Sequence, residues 1–474
     1  MAPFAWILAL ALGCRALPRS SHEPIPAEDA VLRPVQTRAL DVGTQELTFP
    51  NGFRVVARHE KTGPLLAIVL RIHTGSAADP PGKEGLAHLV EHLTFLSNLD
   101  GSGRLGELQE NRGAVSNAYT TRDATFFVTL VQRSGNNARL ELAHMEARRL
   151  ASPVHEIDDA TWNVEVDVVE NELRERREQH GAGVLPAIYA SLFPSGHPYA
   201  RPIGGTPASL RRITRADVAE FTRLHYRPEN ASLVVIGDLG GDALGQIVRR
   251  ALAPALRLPG TRTPLRPPLA SSPAIAMGPS LARTSAPQPT PSLLLGWVLP
   301  HSGGEQRFAN GLAARLVQLL LWRKAVEDDD VIGVSCGVTP DLLAALLTCE
   351  ARLVDGRHVE GTRQALMAAI AEKVPHEVVT LLAAGHVAAM VFGLEDFFHQ
   401  ALDLSAKVQS GEPTFALPAR DDLVDEALGL LERRVTPALR SCARDPPISA
   451  RCSRPVPVRP PPCCPAIRPR SSSR

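Results

Sequence analysis

An excess of charge of either sign is absent: 51 Lys and Arg stand against 50 Asp and Glu, a net charge of +1 with histidine neutral. No strong field therefore steers the chain towards nucleic acid or an anionic membrane. Aromatic residues are scarce at 4%, and none cluster with basic residues in the way that stacks bases. All four tyrosines, Tyr119, Tyr189, Tyr199 and Tyr226, fall in the first half of the 474 residues. No Cys-x-x-Cys pair occurs in the part expected to fold, which argues against a cysteine zinc site. Of the seven cysteines, Cys14 lies in the opening stretch, Cys442, Cys452, Cys463 and Cys464 lie in the last 33 residues, and Cys336 and Cys349 lie between. They are read as a pair or as two buried thiols, the latter being the commoner state.

An apolar run opens the chain. Met1 to Cys14 holds a stretch too short to span a bilayer, followed by small residues, so residues 1–17 are expected to be a secretory signal. No Lys or Arg precedes Cys14, and the Arg-rich pattern of a mitochondrial transit peptide is absent. Ala11-Leu12-Gly13-Cys14 also has the form of a lipobox, so two outcomes stay open for Cys14: a lipid anchor, or a plain member of the apolar run. A secreted or periplasmic location is expected, with any membrane attachment through Cys14.

What is present is an ordinary globular composition, 44% hydrophobic, over a length sufficient for two or three cores. Residues 18–44 are polar and proline-containing and read as a tether. A first domain is expected over 45–253, starting with a hairpin turned at Pro50-Asn51-Gly52. Its helical segments are Glu84–Ser97, 104–111, Asn137–Leu150, Asp158–Glu178, and one begun by the capping box Thr214 to Asp217. Strands are expected at Leu65–Ile72, around 118–131 and at Asn230–Gly237. This mixture points to an α+β fold, a mostly antiparallel sheet covered by helices. Residues 254–291 carry ten prolines and read as a linker.

The second domain, 292–440, reads as a degenerate copy of the first. Leu293–Val298 matches the strand at Leu66–Arg71. The helix Gly311–Leu320 matches Gly85–Leu93 with one residue inserted, placing Arg315, Gln318 and Leu319 where His88, Glu91 and His92 stand. The scaffold is kept and the chemistry lost. From 441 to 474, Arg, Pro, Ser and Cys dominate and apolar periodicity ends, so a disordered tail is expected. The abruptness of that change raises the question of a misjoined end, which intact mass would settle.

His88-Leu89-Val90-Glu91-His92 carries the chemistry. It is H-x-x-E-H, the inverted zinc-peptidase motif. On a helix His88 and His92 project from one face, one turn apart, as two imidazoles sharing a metal must. Glu91 can then reach a water on the metal without being a ligand. A catalytic zinc takes three protein ligands, and the third is sought in Val164–Arg176. At about 100° per residue, Glu165 and Glu172 fall within about 20° of each other, while Glu170 points away. The pair suits a ligand and a carboxylate that orients another ligand. From the residues alone, Glu172 stays open between a ligand and one member of a solvated acidic face.

These segments resemble the pitrilysin and insulinase-type inverzincin peptidases, which include the mitochondrial-processing-peptidase β subunit and short bacterial forms. The resemblance runs over about 45–440. It is carried by Asn51–Val56, Gly75-Ser76, Gly85–Phe95, Asn117-Ala118-Tyr119-Thr120, Val168–Leu173, His197-Pro198-Tyr199, Ile203-Gly204 and Tyr226–Asn230 with Gly237-Asp238. It implies two homologous domains forming a clamshell. It implies one Zn2+ per chain on His88, His92 and Glu172, with Glu91 as general base on a zinc-bound water. It also implies Glu165 as a supporting acidic residue of the catalytic site, and Asn117-Ala118 on an edge strand that binds substrate. The function implied is a zinc endopeptidase acting on short or unfolded peptides. The alternative is a non-catalytic scaffold or partner subunit. The stretch from His92 to Glu172 is a few residues longer than the family pattern, and an enlarged loop at Gly101–Gly103 would absorb them. In the family the non-catalytic half usually supplies an Arg and a Tyr, and the second half here has no Tyr. A dimer is therefore expected, a related non-catalytic subunit being one form of it.

Overall fold

The computed structural model describes residues 30–431, except 42, 62–64, 99–100, 102, 133–135, 179–183, 195, 261–289, 301–304, 394–396 and 412–419. The expected signal, residues 261–289 of the expected linker and the expected tail thus lie outside the described residues, while the start of that linker is corrected: Ala255 and Leu256 end a short helix and are buried in the first core. The chain divides into two compact units that do not follow its halves. The first comprises 1–173, 202–268 and 393–415, and the second 174–201, 269–392 and 416–474.

The first unit is built on a seven-stranded sheet in the order β1-β2-β3-β7-β4-β6-β5. The strands β1 (Gln36–Asp41), β2 (Thr44–Thr48), β3 (Arg54–His59) and β4 (Leu65–Ile72) come first. Helix α1 (Leu86–Leu96) and the short α2 (Leu105–Glu110) precede the hairpin β5 (Ala114–Thr120) and β6 (Thr125–Gln132). Helices α3 (Asn136–Ala151) and α4 (Asp159–Glu178) follow. After an excursion through α5 (Val184–Leu192) in the second unit come α6 (Arg215–His225) and β7 (Ala231–Gly237). All pairings are antiparallel except β3 with β7. The strand β1 is a correction, because it lies in the segment expected to be a tether. Gln36-Thr37-Arg38-Ala39-Leu40-Asp41 has no apolar alternation, and its strand form comes from backbone pairing with β2.

Alternation sends Val55, Ile68, Leu70 and Phe127 to one face, where they pack with Leu86, Leu89 and Leu93 of α1 and with α3 and α6. Val56, Ala67, Val69, Val128 and Val234 face the other way. There they meet Ala401, Leu404 and Val408 of a helix from far down the chain, α10 below. The sheet is thus buried on both faces, which explains why β4 and β7 read as nearly continuous apolar runs.

The second unit holds a three-stranded sheet, β8 (Ser292–Leu299), β9 (Val331–Pro340) and β10 (Ala345–Leu353), in the order β8-β10-β9. Helix α7 (Glu305–Ala325) lies between β8 and β9, and α8 (Val359–Ile370) and α9 (His376–Gly393) follow β10. Next come α10 (Phe397–Ser410), which belongs to the first unit, and α11 (Arg420–Leu430), which belongs to the second. The succession β8-α7-β9-β10-α8-α9, with its pairings, repeats that of β4, α1, β5, β6, α3 and α4. In α7, Gln318 accepts a hydrogen bond from the Cys336 N–H of β9 at 3.2 Å.

Two features correct the expected domain limits. Residues 174–201 join the second unit and 393–415 join the first. The second unit therefore contains Tyr189 and Tyr199 after all, but both are fully buried. Tyr189 hydrogen-bonds to Asp341, and the Tyr199 hydroxyl accepts from the Leu343 N–H at 3.2 Å. They staple α5 and its sequel to the β9–β10 turn. Cys336 and Cys349, directly opposed in β9 and β10 with Cα atoms 4.1 Å apart, form a disulfide.

Candidate active site and metal centre

The site is built on α1. Gly85 starts this helix at φ +97°, a left-handed conformation that glycine adopts without strain. A side chain there would also strike the Gly204 carbonyl. Asp79, from the preceding Gly/Pro loop, accepts from the N–H groups of Gly85 at 2.8 Å and Ala87 at 2.9 Å. A buried carboxylate thus caps the positive end of the helix dipole.

One turn apart on α1, the rings of His88 and His92 have centroids 4.8 Å apart. Glu172 comes from α4, where Val169 and Leu173 enter the core and turn the acidic face towards α1. Its Oε2 lies 3.5 Å from His88 Nε2 and 3.2 Å from His92 Nε2. Ligand atoms about 2.1 Å from a tetrahedral zinc sit about 3.4 Å apart. Both separations match that edge, and the three donor atoms lie within 4.8 Å of one another. Two imidazole nitrogens and one carboxylate oxygen are a donor set that zinc takes in catalytic sites. The residues present therefore fit the ion.

Glu165 lies on the same face of α4, its Oε1 2.7 Å from His92 Nδ1. That bond fixes the ring and leaves Nε2 towards Glu172. Burial disfavours a charged His92, but hydrogen bonds to Glu165 and Glu172 outweigh it and raise the imidazole to about 9. Glu170 points elsewhere and pairs with Arg211 at 2.6 Å.

Glu91 faces the end of β5. Its Oε2 accepts from the Thr120 hydroxyl at 2.5 Å, and the side chain is buried. Tyr226 is buried nearby, its phenol pushed far up by burial and by the negative charge of Glu91. Asn117 and Ala118 sit in β5, the terminal strand of the sheet. Asn117 Oδ1 accepts from the Ala118 N–H at 2.8 Å, and its Nδ2 donates to the Tyr119 hydroxyl at 3.0 Å. The fold thus brings His88, Glu91, His92, Glu165 and Glu172 together and sets Asn117-Ala118 on an edge beside them. Asn98 and Arg104, on either side of the expected enlarged loop, form an isolated antiparallel bridge.

Sequence reasoning missed Asp79, Thr120 as the partner of Glu91, and Gly204. A side chain at Gly204 would collide with Leu173 and come 3.7 Å from His88 Nδ1. An acidic residue in the loop before a helix was a usable signal for Asp79; the other two contacts had none.

Residues 54–206 match the family described as Insulinase (Peptidase family M16), and residues 212–378 match the Peptidase M16 inactive domain. An uncharacterized zinc protease of Mycobacterium leprae is 28% identical over 291 residues, 59% of this chain and 63% of that protein. The zinc protease PqqE of Helicobacter pylori is 30% identical over 210 residues, 44% of this chain and 46% of that protein. Subunit 1 of the bovine mitochondrial cytochrome b-c1 complex is 28% identical over 246 residues, 50% of this chain and 49% of that protein. The chain thus spans about half to under two thirds of the length of these relatives. Among solved structures, a protease from Helicobacter pylori superposes with a TM-score of 0.68 at 18% identity, covering 84% of this chain and 95% of the other. A structure titled as an M16-like peptidase from Alicyclobacillus acidocaldarius gives 0.65 at 16% identity, covering 84% and 95%.

Proposed function

Because the chain belongs to the insulinase family, peptidase family M16, we propose that it is a zinc-dependent endopeptidase acting on short or unfolded peptides. The observation that carries this reading is the convergence of His88, His92 and Glu172 beside a buried Glu91. A bound zinc ion would act as a Lewis acid on the scissile carbonyl and on the attacking water. Glu91, steadied by Thr120, takes the proton from that water and returns it to the leaving amine. Glu165 holds His92 in the orientation that directs Nε2 inward. The peptide lies along β5 at Asn117-Ala118, paired through its backbone to the free edge of the sheet.

The second reading, a non-catalytic subunit, draws on the similarity to a cytochrome b-c1 complex subunit. The intact H-x-x-E-H and its third partner favour the enzyme. With Tyr189 and Tyr199 buried in their own unit, no tyrosine of the second unit is available to an oxyanion. The active form proposed is a dimer, with a related non-catalytic subunit as one version. A robustly active monomer would sink this. The cross-strand disulfide supports an oxidising, secreted or periplasmic setting. Cys14 lies outside the described residues, and its lipidation is a matter for mass spectrometry.

The test uses the full chain. One zinc per chain is expected, with cleavage of a short unstructured peptide that a chelator blocks and zinc restores. Glu91→Gln should keep the zinc and lose activity by about 10² or more. Full activity in that variant removes Glu91 from the chemistry.

A further inference from the structure

Beneath the site lies a set of buried polar groups that the proposed chemistry does not use. Arg149 and Glu146, one turn apart on α3, are both fully buried, with Nε 2.9 Å from Oε2. The guanidinium lies 4.5 Å from the Phe95 ring centroid and 4.3 Å from that of Phe127. Its Nη1 donates to Thr94 Oγ1 at 2.7 Å, and that hydroxyl donates to the Glu91 carbonyl at 2.8 Å. Its Nη2 donates to Gln109 Oε1 at 3.2 Å. Gln109 Nε2 donates to Glu146 Oε1 at 2.7 Å and to Thr129 Oγ1 at 3.1 Å. The Thr129 hydroxyl lies 3.4 Å from Ser116 Oγ, in the edge strand β5.

Glu91 is therefore tied to β5 twice. Its carboxylate is held directly by Thr120, and its main chain is held through Thr94, Arg149, Gln109 and Thr129 to Ser116. A buried ion pair is a poor stabiliser, since apolar side chains of similar volume usually do as well. Such a pair does fix geometry, because each member has one set of partners and strands a charge if it moves. Here the fixed quantity is the separation of α1, which bears Glu91, from β5.

We propose that Arg149 is a positioning residue that sets the distance between the general base and a peptide lying on β5. This rests on the reading of Glu91 as the base and of β5 as the peptide edge. Arg149 itself touches neither substrate nor metal ligands.

The test uses the zinc-loaded full chain. In the triple variant Arg149→Met, Glu146→Leu, Gln109→Leu the polar groups leave together and no charge is stranded. It should fold with an unchanged or raised thermal midpoint and bind zinc as tightly as wild type. Its kcat should fall roughly tenfold or more with KM unchanged, the mark of lost alignment rather than lost binding. Thr94→Val removes the link to the Glu91 carbonyl together with the Arg149 Nη1 acceptor, leaves the Arg149–Glu146 pair in place, and should lower kcat by about threefold or more. Wild-type kcat in both variants overturns the proposal. Amide hydrogen exchange supplies a readout independent of activity. Exchange in α1 and β5 should quicken together in both variants, and exchange unchanged in β5 overturns the proposal. If the wild-type chain cleaves nothing, the peptidase reading fails while exchange still decides here. If the triple variant does not fold, Thr94→Val decides.

Discussion

Asp79 shows how much one side chain contributes to this site. Its two oxygens satisfy two N–H groups at the start of the helix that carries both histidines. Asp79→Ala should destabilise the chain by about 1–2 kcal/mol and weaken zinc binding, read by denaturation and by metal titration. An unchanged zinc affinity would separate the cap from the site. His225, on the last turn of α6, shows a pH effect. Burial pushes its imidazole down to about 4, against a weaker upward pull from Glu220. Unfolded, it titrates near its ordinary value of 6.5. Between these values the unfolded chain binds a proton that the folded chain refuses, so stability falls as pH drops from about 6.5 to about 4. The effect is up to about 3 kcal/mol. Urea unfolding at pH 7 and 4.5 should show it, and His225→Gln should flatten the slope. His73, buried and also pushed well down by burial, acts in the same direction.

The elements were largely legible. Helical period, capping residues and turn signals locate α1, α3, α4 and α6 within a residue or two of where they lie. The capping box at Thr214 and Asp217 is made reciprocally as its pattern implies. The strand β1 was not legible, because pairing rather than composition makes it a strand. Nor was the state of Cys336 and Cys349. Thirteen residues of separation allow a bond or two thiols, and only the register of β9 against β10 places them opposite each other. Cys336→Ser with Cys349→Ser should lower the stability of the chain by about 3 kcal/mol. Thiol labelling of the urea-denatured, non-reduced chain should leave both sites unmodified. Labelling at either would return them to buried thiols.

For the molecule as a whole, chain order misleads. Helix α10 comes late, yet Leu404 and Ala401 are fully buried against Val56, Ala67, Val69 and Val234 of the first sheet. Arg54 Nη2 also donates to the Val408 carbonyl at 2.7 Å. Leu404→Ala should destabilise the first unit by about 2–5 kcal/mol. Thermal unfolding would show a lowered transition, and an unchanged one would mean that this face is covered otherwise. The helix-borne histidines, the carboxylate between them, the acidic face of α4 and the faded repeat could all be read without a structure. Each depends on a fixed helical period or on local composition, and both are properties of short stretches of chain. Which carboxylate meets the histidines, which threonine holds Glu91, which sheet α10 covers and which unit owns Tyr189 and Tyr199 were decided by packing. These are contacts between residues distant in the chain, and an apolar stripe or a polar side chain does not by itself name its partner.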